Sequence, residues 1–120
     1  MKGAYGLGER EATIMAVLWD ADEALTVRDV LDRLASPLAY TTVMTVLDNL
    51  HGKGFVARQK AGRAFRYVPA ESREQLTARM MRDLLAESGD PEGVLLHFAK
   101  GASAEESTML REILRRGGLV

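Results

Sequence analysis

Along residues 25–68, LTVRDVLDRLASPLAYTTVMTVLDNLHGKGFVARQKAGRAFRYV, the apolar spacing changes from helical to alternating with little chain between. Such a change of period demands short helices and a hairpin around a small shared core. Val27, Val30, Leu31 and Leu34 fall on one face, with Arg28, Asp29, Asp32 and Arg33 on the other. A helix over 27–34 follows, with Thr26 as its N-cap. Ser36-Pro37 closes it, because proline disfavours helical geometry in the residue before it.

A further helix is predicted over 40–51, ended by Gly52 and Gly54. Val43, Val46, Leu47 and Leu50 point inward. A step of about 100° per residue then puts Thr41, Thr45 and Asp48 outward, flanked by Thr42 and Asn49 on one side and Met44 on the other. Either Thr41 or Thr42 could serve only as a cap, but threonines are mediocre helix formers and gain nothing in solvent. Strands are expected at 55–59 and 64–68, joined by Lys60-Ala61-Gly62-Arg63, with Gly62 suited to a tight turn. From Asn49 through Ala70 there is no acidic residue, while Lys53, Arg58, Lys60, Arg63 and Arg66 are basic.

Helix, turn, polar-tipped helix and basic hairpin in that order is the pattern of a winged helix-turn-helix, with double-stranded DNA as its expected partner. Short hydroxyls and methyls suit close approach to base edges, so base readout is expected from Thr41, Thr42, Met44 and Thr45. Backbone contacts are expected from Tyr40, Lys53, Arg58, Lys60, Arg63 and Arg66.

Ahead of this unit, a helix starting at Leu7 or Gly8 and running to Trp19 shows Ala12, Met15, Ala16, Leu18 and Trp19 on a buried face, widened by Ile14. Trp19 reads as a core anchor. Beyond Pro69, helices are expected over 72–87 and 92–99, and a last one is opened by a Ser103/Glu106 capping box. Their apolar stripes are narrow, and so small a segment buries too little surface to stand alone. A two-fold dimer therefore is expected, closed by Leu76, Met80, Leu84, Leu95, Phe98, Met109, Leu110, Ile113 and Leu114. The alternative is a tail folded back on its own N-terminal domain. The fold class is thus mostly α with a small β-hairpin wing. Residues 1–70 form a winged helix-turn-helix domain, and 71–120 a helical dimerisation region. Symmetry would make the operator palindromic.

Other classes are poorly served. A formal net charge of −1 with 28% charged and 47% hydrophobic residues suits a globular chain whose basic residues are gathered rather than abundant. There is no cysteine, and His51 and His97 lie in different modules without metal-ligand spacing, so no metal and no cofactor are expected. Phosphate-loop and GxSxG patterns are absent from the sequence, and an enzyme is not expected. No apolar run is long enough for membrane insertion, and the start MKGAYGLGEREATIM lacks a leader-like apolar stretch. The expected location is cytoplasmic. Two competing functions remain open: a winged-helix protein-interaction module, and a small-ligand-responsive dimeric repressor of another winged-helix family.

The order of motifs resembles the penicillinase and methicillin-resistance repressor family, which includes copper-responsive operon repressors. The resemblance rests on LGEREATIMAVLWD (7–20), TVRDVLDRL (26–34), AYTTVMTVLDNLHGKGFV (39–56), GRAFRYVP (62–69) and VLLHFAKG (94–101). It implies a homodimeric repressor that occupies an operator, with a sensor-linked protease as a further partner. In the β-lactam branch an Asn-Phe bond is cut, and the similar position here is His97-Phe98, which keeps only the phenylalanine. Phe98 reads first as a core or dimer-interface aromatic and second as a protease recognition residue. The copper branch relies on a cysteine-rich tail, which this chain lacks.

Overall fold

The computed structural model describes residues 3–118, which cluster into two compact units with a division between Arg79 and Met80. After a single 3₁₀ turn at Ala4–Gly6, the first unit contains α1 (Glu9–Asp20), α2 (Val27–Arg33) and α3 (Tyr40–Gly52), then β1 (Val56–Ala61) and β2 (Ala64–Pro69). Helix α4 (Arg73–Glu87) runs through the division, and α5 (Pro91–Lys100) and α6 (Ala104–Arg116) complete the second unit.

Local chemistry sets the helix ends. At α1 the Glu11 carboxylate accepts from the Gly8 N–H at 3.1 Å, so the helix begins at Glu9 and leaves Leu7 outside it as a buried core residue. At α2 the Thr26 hydroxyl accepts from Asp29 N–H at 3.1 Å and the Asp29 carboxylate accepts from Thr26 N–H at 3.0 Å. Ser72 with Gln75 and Ser103 with Glu106 make the same reciprocal arrangement at α4 and α6. Asp90 caps α5, and Pro91 occupies its first turn, where a missing N–H costs nothing. Helix α3 closes in a Schellman motif: Phe55 N–H donates to Leu50 O at 2.9 Å and Gly54 N–H to His51 O at 3.1 Å, with Gly54 at φ +83°.

The core of the first unit joins Ile14, Met15 and Leu18 of α1, Val30 of α2, Val43, Leu47 and Leu50 of α3, and Val56 and Tyr67 of the hairpin. Ala12 is exposed, whereas Ile14 is fully buried. The inward face of α1 is therefore rotated toward Ile14 from the face expected. Trp19 is partly buried against this core and donates through Nε1 to Glu71 O at 3.0 Å. Helix α2 stops at Arg33, one residue early, because Leu34 already has extended backbone (φ −72°, ψ 135°).

The strands are antiparallel and pair Val56 with Pro69, Arg58 with Tyr67 and Lys60 with Phe65. Both run past their expected C-terminal ends, leaving only Gly62 and Arg63 as the turn, but β1 starts one residue late because the Phe55 N–H is bonded back to Leu50 O at the end of α3. Gly62 takes φ +65° at the first turn position, as two-residue hairpins of the II′ kind require. Leu25 adds a bridge to the open edge: its N–H donates to Tyr67 O at 3.0 Å and Tyr67 N–H donates back at 2.7 Å. That ties the wing to the segment just before α2. Among the described residues no helix is long and apolar enough to cross a membrane.

In the second unit, α5 and α6 bury no residue. Phe98, Met109, Leu110 and Ile113 are about half exposed, and Leu84 of α4 is 70% exposed.

Candidate nucleic-acid interface

Helix α3 carries Val43, Val46, Leu47 and Leu50 on its buried side, which leaves Thr41, Met44, Thr45 and Asp48 outward. Thr41 and Thr45 are exposed and Thr42 is half-buried. None of these hydroxyls is spent on a cap, since the N-cap is Ala39 and has no side-chain hydrogen bond. Among the described residues the side chains of Thr41, Thr42 and Thr45 have no hydrogen-bond partner, unlike Thr13 and Thr77, which bond back to carbonyls a turn earlier. Free hydroxyls on an exposed helical face can donate or accept at base edges.

The hairpin stands beside this face. Because directly paired residues share a side of a sheet, Val56, Arg58 and Lys60 lie with Pro69, Tyr67 and Phe65 on one side. Gln59 and Arg66 lie on the other. Arg58 Nη1 donates to Asp48 Oδ1 of α3 at 2.9 Å, and its guanidinium sits 4.3 Å from the Phe65 ring centroid. A groove of about 550 Å³ runs between α2, α3 and the wing, lined by Arg28, Tyr40, Met44, Asp48, Arg63 and Phe65 among others.

The basic residues divide into two groups. Lys53 Nζ is held by Glu11 at 2.8 Å, Arg58 by Asp48, and Arg66 stands 4.0 Å from Asp29 and 3.5 Å from Ala24 O. Lys60 and Arg63, at and beside the wing tip, are exposed and have no acidic partner among the described residues. Arg28 is a cation that the sequence reading passed over. It lies 5.7 Å from the centroid of the exposed Tyr40 ring and also has no acidic partner among the described residues. Its signal was its place on the outer face of α2, next to the N-terminus of α3. Among the described residues, no group of His, Asp or Glu is arranged to hold a metal ion.

Of the residues expected at a dimer interface, Leu76 is 3% exposed within the first unit of a single chain. Met80 and Leu114 are half-buried, and Leu84, Leu95, Phe98, Met109, Leu110 and Ile113 are exposed. His97 and Phe98 are adjacent exposed residues inside α5.

The family model described as Penicillinase repressor matches residues 7–116. This chain belongs to that family. The transcriptional regulator BlaI of Mycobacterium tuberculosis, in strains CDC 1551 / Oshkosh and ATCC 25618 / H37Rv, is 42% identical over 113 residues, covering 90% of this chain and 82% of that protein. Among solved structures, Bordetella bronchiseptica BpsR, whose DNA binding is regulated by 6-hydroxynicotinic acid, superposes with a TM-score of 0.53 at 17% identity. That match covers 97% of this chain and 83% of BpsR. A MarR/EmrR family regulator from Acinetobacter sp. ADP1 gives 0.50 at 19% identity, over 94% of this chain and 75% of that one. At such identities the likeness concerns the fold alone, and that fold is the winged helix-turn-helix read from residues 25–68. This penicillinase-repressor family member is a DNA-binding transcriptional repressor, and its relatives are regulators rather than enzymes.

Proposed function

We propose that this repressor works as a homodimer on a palindromic operator, each copy setting α3 into a major groove with its wing alongside. The observation that carries this is the juxtaposition of unbonded hydroxyls on exposed Thr41 and Thr45 with the unneutralised cations Lys60 and Arg63. Thr41, Thr45, Met44 and the half-covered Thr42 are the readout set, because short side chains permit the backbone to approach the bases. Lys60, Arg63 and Tyr40 hold the phosphate rails and fix register. Lys53, Arg58 and Arg66 already have acidic neighbours, so each brings less net charge to the duplex than its side chain suggests.

Dimerisation belongs to residues 71–120 and DNA binding to 1–70 in this reading. The half-exposed Phe98, Met109, Leu110 and Ile113 supply the apolar face that a second copy would cover. Two linked half-sites then bind far more tightly than either alone, since the second contact is intramolecular. A sensor-linked protease cutting His97-Phe98 would sever α6, which carries Met109, Leu110 and Ile113 of that face, from the DNA-binding unit and release the operator. The bond lies within α5, so cleavage requires local unwinding. Acting on the chromosome places the protein in the cytoplasm.

The test is electrophoretic retardation of the DNA flanking its own gene, with Thr45→Ala as the comparison. The intact chain should bind as a dimer with paired protected half-sites. The variant should lose roughly 1–3 kcal/mol on sites carrying the preferred base and little on others. Absence of retardation at low salt would refute the proposal.

A further inference from the structure

A carboxylate on a DNA-facing helix needs an explanation, because a duplex presents a dense row of phosphate charge. Asp48 stands on the outer stripe of α3, a turn beyond Thr45, with its side chain 55% exposed. Its Oδ1 accepts from Arg58 Nη1 at 2.9 Å. The Arg58 side chain is 27% exposed and is itself held over Phe65, 4.3 Å from the ring centroid. The guanidinium thus neutralises the carboxylate and fixes its orientation from the wing side. The second oxygen, Oδ2, has no hydrogen-bond partner among the described residues.

We infer that Asp48 is a specificity-determining residue that selects a base offering an amino group in the major groove, cytosine first, with Arg58 as its positioning residue. This rests on the reading that α3 enters that groove. An ionised carboxylate only accepts hydrogen bonds. Cytosine N4 and adenine N6 donate at the major-groove edge, while guanine O6 and N7 and thymine O4 accept and would be repelled. Adenine ranks below cytosine because its N7 lone pair lies beside N6 and faces the same carboxylate. Without Arg58 the carboxylate would meet the duplex uncompensated, at a cost to every sequence alike. The pair could instead be a strut that props the wing against α3. A strut would change affinity but not base preference, and that difference is measurable.

The experiment selects bound duplexes from a pool with a randomised core, using the full chain and its Asp48→Asn, Asp48→Ala and Arg58→Lys variants. The unaltered protein should enrich cytosine at a defined position of the half-site. Asp48→Ala should lose roughly ten-fold discrimination at that position and leave the others intact. Asp48→Asn, nearly isosteric and on an exposed site, should shift the preference toward adenine, whose N6 and N7 match a carboxamide. Arg58→Lys keeps the charge but loses the flat stack on Phe65, so discrimination should weaken at the same position. Unchanged preference in both Asp48 variants, or an equal loss at every position, would overturn the inference and leave a strut. Enrichment of no sequence by the unaltered chain would instead overturn the DNA reading itself, and this inference with it.

Discussion

The two units of this chain treat their apolar residues in opposite ways. In the first, Ile14, Val30, Val43, Leu47 and Leu50 are wholly buried, and of the exposed large apolar side chains Tyr40, Met44 and Phe65 line the groove beside α3 while Val68 lies on the other side of the wing. In the second, α5 and α6 bury nothing, and Val94, Leu95, Leu96, Phe98, Met109, Leu110 and Ile113 are all exposed. A helix stripe is stable only when something covers it, and α5 and α6 touch each other too little to cover theirs. The first unit is closed by its own chain. The second presents an apolar surface of the kind that marks an association face.

The largest effect should follow from Ile113→Asp. It would place a carboxylate from each copy in the shared face, costing several kcal/mol per dimer through unpaired burial. Sedimentation equilibrium should find monomers, and a surviving dimer would take α6 out of the interface. Leu47→Ala tests the other unit. It should lower unfolding free energy by about 2–5 kcal/mol, measured by denaturant titration. That loss should not depend on protein concentration, whereas the loss from Leu110→Ala should, because in the proposed dimer only the second is linked to association. A Leu110→Ala penalty indifferent to concentration would erase the distinction between the units.

Smaller effects probe the wing. Lys60→Ala and Arg63→Ala should each weaken binding to all sequences alike and reduce the slope of log affinity against log salt by about one unit. Arg58→Ala should change that slope less, since Asp48 already offsets its charge. Equal slopes for the three would show that the Asp48 pairing does not persist on DNA.

The smallest effect concerns acid stability. The Asp29 carboxyl is held below its ordinary value of 3.8, first by the Thr26 N–H and then by the Thr26 hydroxyl, with Arg66 and Arg33 adding lesser attraction. Its folded value lies below its unfolded one, so the stabilisation is complete above 3.8 and is lost as pH falls through the depressed value. Asp29→Asn should therefore differ most from the parent above that pH, and the gap in melting temperature should narrow below it. A gap independent of pH would show that the carboxylate's charge is irrelevant to the cap.

The outward placement of Thr41 and Thr45 was legible because Val43, Val46, Leu47 and Leu50 leave a helix only one way to face. The Thr26/Asp29 and Ser103/Glu106 caps were equally open to reading, or nearly so, since a capping box needs only residues three apart. The rotation of α1 toward Ile14 was less so, because alanine at position 12 satisfies an apolar pattern yet needs no burial. The basic run from Lys53 to Arg66 gave no warning that Glu11, Asp48 and Asp29 stand against three of its members.

Periods, caps and turns act over a few residues, so helix order, the hairpin and its Gly62 turn are written into the chain itself. Partnerships over longer separations are not. The antiparallel register puts Arg58 on the α3 side of the wing, and packing of α1 on α3 brings Glu11 to Lys53. The Leu25–Tyr67 bridge forms where the segment before α2 meets an open strand edge. Charge in sequence counts every lysine and arginine alike. Only three-dimensional closure decides which cations are neutralised within the protein and which, like Lys60 and Arg63, keep no acidic partner among the described residues.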